Sequence, residues 1–307
     1  MSAESTWKLS AHAPRPVIEA ALLAHELVAD WDAELVIAGR ELAEDRPGDW
    51  MLEAWYPRKP GPEVIAAIER LFAGGAPPLA IEELPPADWV TLSQHTTPPI
   101  RAGRFHVHTP DFPPDPGLID LVIPAAQAFG TGHHHTTAGC LEMLGHIRAS
   151  GLIARRIADI GTGTGLLAFA ARALWPTAQL TLTDIDPVCA GVVAANAEMN
   201  AVPLGPGPGA ALMIVADGMA DPLIALRAPF DLLIANILAG PLVEMAEDFG
   251  KAVRPGGSLL LAGLLAGAQE DAVCRAMRRA GFRPVARLQR GDWAILWLRR
   301  RRAARPA

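Results

Sequence analysis

Apolar residues recur along the chain with two periods. Between Pro16 and Asp30 they fall at Val17, Ala20, Ala21, Leu23, Ala24, Leu27 and Val28, the three-and-four spacing of an amphipathic helix. Pro62–Phe72 repeats that spacing and is closed by Gly74-Gly75. Short apolar runs around these helices predict strands at Thr6–Leu9, Ala33–Ala38, Trp50–Tyr56 and Leu79–Glu83. The order β-α-β-β-α-β predicts a small α+β domain of the ferredoxin-like kind over residues 1–96.

Pro98-Pro99 and the Pro110–Pro116 stretch mark residues 97–125 as an expected linker, with one short strand at Arg104–His108. Beyond it the pattern alternates. Strands are predicted at Arg156–Ile160, Gln179–Asp184, Ala211–Asp217, Phe230–Ala235 and Ser258–Leu264. Helices are predicted at Thr136–Ser150, Leu166–Leu174, Pro187–Asn200 and Ala266–Ala280. Arg283–Leu288 and Trp293–Leu298 flank a Gly291-Asp292 turn and read as an antiparallel pair. Such alternation predicts an α/β, Rossmann-like domain at 126–300, with a mostly parallel sheet covered on both faces. Residues 301–307 form a basic tail.

Composition narrows the class. The chain of 307 residues is half hydrophobic and one-fifth charged, which excludes disorder by composition. The net charge of −6 conceals an asymmetry: residues 1–96 hold seven Lys/Arg against sixteen Asp/Glu, net −9, and the remainder is net +3. An acidic first third argues against a direct grip on nucleic acid and suits either a basic protein partner or an ordinary solvated acidic face. Three cysteines without a Cys-x-x-Cys pair fit a reducing cytoplasm rather than a disulfide scaffold. No signal segment or long apolar run is visible, so a cytoplasmic, membrane-free monomer is the expectation.

The chemistry gathers at strand ends. Asp159-Ile160-Gly161-Thr162-Gly163-Thr164-Gly165 follows an apolar strand and opens a helix. It fails the dinucleotide pattern G-x-G-x-x-G and lacks the lysine of a phosphate loop, which suits a nucleoside without phosphates such as S-adenosylmethionine. Asp184-Ile185-Asp186-Pro187 ends the next strand; Asp184 is placed to accept ribose hydroxyls and Asp186 to cap the helix behind Pro187. Asp217 could receive an adenine amino group, or serve as an ordinary turn residue. Asn236 follows four apolar residues at the mouth of the fourth strand. A lysine amine, with pKa about 10.4, arrives protonated and must be bound neutral with its lone pair aimed, which an amide carbonyl and a main-chain carbonyl near Ile237 can do. Phe129-Gly130-Thr131-Gly132-His133-His134-His135-Thr136-Thr137 leads into a helix start and offers donors to a carboxylate. Three adjacent histidines rarely converge on one ion, so no metal site is expected.

These strings together resemble the bacterial ribosomal protein L-eleven methyltransferases, whose pattern runs A-F-G-T-G-x-H-x-T-T, D-x-G-x-G-S-G-I-L, D-I-D-P with N-A-x-x-N, and A-N-I-L-A-G-P-L. Here they stand as Ala128–Thr137, Asp159–Leu167, Asp184–Pro187 with Asn196–Asn200, and Ala235–Leu242, with Thr164 in place of the serine. The resemblance implies a seven-stranded methyltransferase domain behind a domain that recognises the ribosomal protein. It implies methyl transfer from S-adenosylmethionine to lysine ε-amines and the N-terminal α-amine. By position it places Thr137, Gly161, Asp184 and Asn236 against the cofactor, with Asn236 and Thr137 nearest the amine. The cofactor set expected overall is Phe129, Thr131, Thr137, Asp159, Gly161, Gly163, Asp184, Ile185, Asp217 and Asn236. A lysine methyltransferase with another protein target, and a non-catalytic module binding cofactor or ribosome, are the competing readings.

Overall fold

The structure is a computed structural model that describes residues 6–26, 28, 31–32, 34–42, 48–84, 99–124 and 133–302. The chain divides into two compact units, Met1–Leu92 and Ser93–Ala307. Among the described residues no helix is long and apolar enough to cross a membrane.

The first unit contains β1 (Thr6–Pro14), α1 (Arg15–Glu26), β2 (Val36–Glu41), β3 (Asp49–Tyr56), α2 (Pro62–Glu69) and β4 (Leu79–Leu84). Its sheet runs β2-β3-β1-β4 with every pair antiparallel, the ferredoxin-like arrangement. Alternation in β1 turns Leu9, Ala11 and Ala13 onto a core with Ile18, Ala21, Val64 and Ile68 from the helices. Gly39 lets α1 settle on β2: a Cβ there would stand 2.7 Å from Leu22 Cδ1. Lys8 bridges neighbouring strands through Glu82 at 2.6 Å and Glu53 at 3.5 Å.

The second unit opens with a three-stranded sheet of β5 (Ile100–Ala102), β6 (Phe105–His108) and β7 (Ile119–Val122). Then come α3 (His133–Ala149), β8 (Arg156–Ile160), α4 (Leu166–Leu174), β9 (Gln179–Asp184), α5 (Val188–Met199) and β10 (Ala211–Val215). The chain continues through α6 (Pro222–Arg227), β11 (Phe230–Asn236), α7 (Ala239–Glu244), α8 (Ala246–Ala252) and β12 (Val253–Leu265). It ends with α9 (Ala268–Arg279), β13 (Phe282–Arg290) and β14 (Trp293–Arg300).

The large sheet runs β10-β9-β8-β11-β12-β14-β13, with β14 antiparallel to both neighbours. Its central strands β8 and β11 are mostly apolar because both faces are covered. Ile157, Leu232 and Ile234 join one core, and Ala158, Ile160, Leu233 and Ala235 the other. The strand order reverses between β8 and β11, which opens a crevice beyond their carboxyl ends.

Residues 99–124 are not the expected linker. Ala102, Phe105, Val107, Leu121 and Ile123 share the core that contains Leu141 and Leu144 of α3. The Asn200 side chain grips Val122 at both backbone groups, accepting its N–H at 2.9 Å and donating to its carbonyl at 2.7 Å. The Pro110–Pro116 stretch lies in the connection between β6 and β7 and Pro99 directly precedes β5, and these short strands carry little periodic signal. Helices α6, α7 and α8 were likewise missed, being too short to show a full stripe.

On β6, Phe105 and Val107 face that core, while His106 and His108 share the opposite face and are 2% and 6% exposed. Burial pushes the Asp120 carboxyl of β7 up, but bonds from His108, His106 and the Asp115 amide outweigh it and hold it below its ordinary value. Phe105→Ala should therefore destabilise the second unit by about 3–5 kcal/mol, the cost of emptying a core site. Chemical denaturation will measure it; a change below about 1 kcal/mol, normal for a solvated segment, would restore the linker.

Candidate active site

The chain leaves β8 through Gly161, Gly163 and Gly165, with φ of +68°, +54° and +83°. Only glycine takes this left-handed region freely. Space is also short: a Cβ on Gly161 would lie 2.3 Å from Ile237 Cγ2, and one on Gly165 2.7 Å from the Phe169 ring.

Asp159 braces the loop from below. Its Oδ2 accepts from the Thr162 hydroxyl at 2.7 Å and the Ala168 amide at 3.1 Å, and the residue is 2% exposed. Burial above all, with the Asp184 charge, raises its pKa to about 6 against these two bonds. The structure thus gives Asp159 a loop-shaping position, where the sequence suggested contact with a ligand. Asn196 of α5 supports the same loop by donating to the Thr164 carbonyl at 3.0 Å.

Asp184 ends β9 partly exposed. Its Oδ2 accepts the Gly163 amide at 2.8 Å and its Oδ1 the Asp186 amide at 3.1 Å. Those bonds leave lone pairs on both oxygens for a ligand's hydroxyls. Ile185 beside it is 67% exposed, an apolar surface at the crevice. Asp186 accepts the Val188 amide at 2.9 Å, and the helix cap falls on Pro187, one residue later than expected. Burial first and the Asp184 charge second push the Cys189 thiol up to about 11, which disfavours the thiolate there. Asp217 lies exposed beyond β10.

Asn236 is the last residue of β11, and its Oδ1 is buried without a hydrogen-bond partner among the described residues. A buried acceptor left unpaired costs about 1–3 kcal/mol, so such an atom at a crevice points to a donor arriving with a ligand. The turn behind it is pinned from two sides. Ile237 Cγ2 fills the place a Gly161 side chain would take, and a Cβ on Gly263 would stand 2.3 Å from the Ile237 carbonyl oxygen. Gly263, at φ +83°, sits where the register of β12 against β14 shifts between Leu261 and Leu264. The Ile237 carbonyl, the second acceptor expected from the sequence, therefore rests against Gly263.

Thr137 is buried in the first turn of α3. A Cβ on Gly139 would meet Ile295 Cδ1 at 2.5 Å, and Glu142 accepts from Arg290 at 2.9 Å. Both partners lie near the turn joining β13 and β14, beside the carboxyl end of β12, so α3 begins at the edge of the sheet that carries Asn236. Phe129 and Thr131 lie outside the described residues, as do the side chains of His133 and His134. His135 is exposed. The sequence reading missed Gly263, Asn196 and Asn200 as parts of the site's frame; a glycine within an apolar strand was the one local signal for the first.

A profile of the family described as ribosomal protein L11 methyltransferase (PrmA) matches residues 28–301. The chain is 36% identical over 281 residues to the ribosomal protein L11 methyltransferase of Agrobacterium fabrum, covering 90% of this chain and 93% of that protein. It is 39% identical over 269 residues to that of Brucella suis, covering 86% and 89%. Among solved structures it is similar to a ribosomal protein L11 methylase from Lactobacillus delbrueckii, with TM-score 0.54 and 25% identity over 66% of this chain and 97% of that one.

The position of Asp159 has a pH consequence. With a folded pKa of about 6 against an ordinary 3.8, the folded state holds this proton more tightly than the unfolded chain. The stability it contributes is full below about pH 4 and is lost as pH rises through about 6. Asp159→Asn keeps an acceptor but cannot titrate. Between pH 4 and 6.5 the wild type should lose on the order of 2–3 kcal/mol relative to this variant in denaturant titrations. Parallel stability curves for the two proteins would refute the shift.

Proposed function

Since the chain belongs to the ribosomal protein L11 methyltransferase family, we propose that it transfers methyl groups from S-adenosylmethionine to L11, on lysine ε-amines and the N-terminal α-amine. The observation that carries this reading is the unpaired, buried Asn236 Oδ1 at the point where the strand order reverses.

The residues present fit the cofactor. Three left-handed glycines give a backbone that a ligand can approach closely, with no lysine to counter a phosphate. Asp184 keeps lone pairs for a ribose diol, and Ile185 offers an apolar face for a purine. S-adenosylmethionine, when bound, supplies a methyl group activated by its sulfonium.

The chain's own task is to prepare the amine. An ammonium has no lone pair, so the site must favour the neutral form of a group whose free pKa is about 10.4. Asn236 Oδ1 accepts an N–H of that neutral amine and turns its lone pair toward the donor; acceptance by a fixed atom converts orientation entropy into rate. Thr137, buried at the start of α3, borders the same edge. Bulk water takes up the proton afterwards.

Substrate docking falls to the ferredoxin-like unit. Its net charge of −9 over residues 1–96 complements a basic protein. A groove of about 530 Å³ between α1 and α2 has Trp31, Leu35, Val64 and Leu71 on its walls and Asp32, Glu63 and Arg70 as its charged positions.

Incubation of L11 with the enzyme and labelled S-adenosylmethionine should add methyl masses on its amines, read by mass spectrometry. Asn236→Ala should lower the rate by about 100-fold or more while cofactor binding persists, as for loss of a group acting only on the reacting centre. An unmodified L11 would sink the substrate assignment, and near-normal turnover by the variant would sink the role of Asn236.

A further inference from the structure

We propose that His106, His108 and Asp120 form a binding site for one divalent transition-metal ion of the zinc class. His106 and His108 stand two residues apart on β6 and so face the same way, and His106 lies level with Asp120 on the parallel strand β7. His106 Nδ1 is 2.7 Å from Asp120 Oδ1, and His108 Nε2 is 2.7 Å from Asp120 Oδ2. The two rings stack with centroids 4.8 Å apart. All three ligand atoms lie within 4.8 Å of one another.

The hydrogen-bond pattern at His108 makes room for a positive species between its ring and Asp120. Its Nδ1 lies 2.6 Å from the Thr109 carbonyl, which can only accept, so Nδ1 carries the proton. In the neutral ring Nε2 is then a lone pair, and it points at a carboxylate oxygen. Two acceptors at 2.7 Å repel unless a positive species joins them. A second proton on the His108 ring would do so, while His106 can donate to the other carboxylate oxygen through a neutral Nδ1–H. A metal ion joins all three groups, because His106 brings another imidazole to the other carboxylate oxygen. The surroundings resemble the outer support of metal ligands: the Thr109 carbonyl fixes the His108 tautomer, and the Asp115 amide donates to Asp120 Oδ1 at 3.1 Å. Both histidines are nearly fully buried, whereas the Asp120 side chain is 24% exposed, which leaves an approach for the ion and for a water as fourth ligand.

Two imidazoles and a carboxylate favour zinc, cobalt or nickel over magnesium or calcium. This site lies in the small sheet, away from the run His133–His135 that drew attention in the sequence. It also departs from the expectation that the chain has no metal centre.

Titration of the chelator-treated full chain with Co²⁺ tests the proposal. One equivalent should bind with visible d–d absorption, and Zn²⁺ should displace it. His106→Gln and His108→Gln should each weaken Co²⁺ binding at least tenfold, whereas replacing His133, His134 and His135 by alanine should leave it intact. Zn²⁺ should also raise the melting temperature of the wild type, a readout that needs no variant to fold. A wild type without stoichiometric Co²⁺ binding or a Zn²⁺-induced rise would overturn the site, leaving a proton in the ion's place. Binding that survives both glutamine substitutions, or that disappears with the histidine run, would overturn it equally.

Discussion

Everything at the candidate active site depends on how tightly the turn after β11 is enclosed. Ile237 occupies the volume that side chains at Gly161 and Gly263 would need, so a methyl group added at either glycine would push directly on the residue next to Asn236. Packed interiors yield little to such pressure. The turn that carries the Asn236 amide is thereby located by steric exclusion from two sides. Among the described residues Asn236 Oδ1 accepts no hydrogen bond.

The sheet order explains why these pieces meet. β8 lies between β9 and β11, so the loops leaving those three strands carry Asp184, the glycine turn and Asn236 to one rim. Their mutual support is electrostatic as well as steric. Asp159 and Asp184 both hold the glycine loop through its amides and hydroxyl, and the proximity of two carboxylates helps keep the buried one hard to ionise. Two of the chain's three asparagines serve this rim, Asn196 under the loop and Asn236 at the crevice, while Asn200 holds the margin of the small sheet.

Much of this was legible in the chain itself, for definite physical reasons. A glycine turn, an acidic strand end and an amide after an apolar run are local signals, and β8, α4 and β9 begin and end where the pattern put them. What escaped were relationships between distant residues. Gly263 matters through a contact with a turn on another strand, and Asn200 through the backbone of an edge strand. The segment at 99–124 misled because its prolines are conspicuous and its strands short. The His-x-His of β6 was passed over beside the more visible run of three, although alternation along a strand is what brings two imidazoles together.

The Asn200 contact with Val122 has a bearing on how the molecule behaves in company. β7 is the outer strand of the small sheet, and an outer strand normally presents amides and carbonyls that a second chain can pair with. One primary amide side chain satisfies both backbone groups of Val122, in the manner of a single residue from an absent neighbouring strand. The helix whose Asn196 supports the glycine loop thus ends by sealing a sheet margin, and a change at Asn200 would open that margin to pairing with another chain.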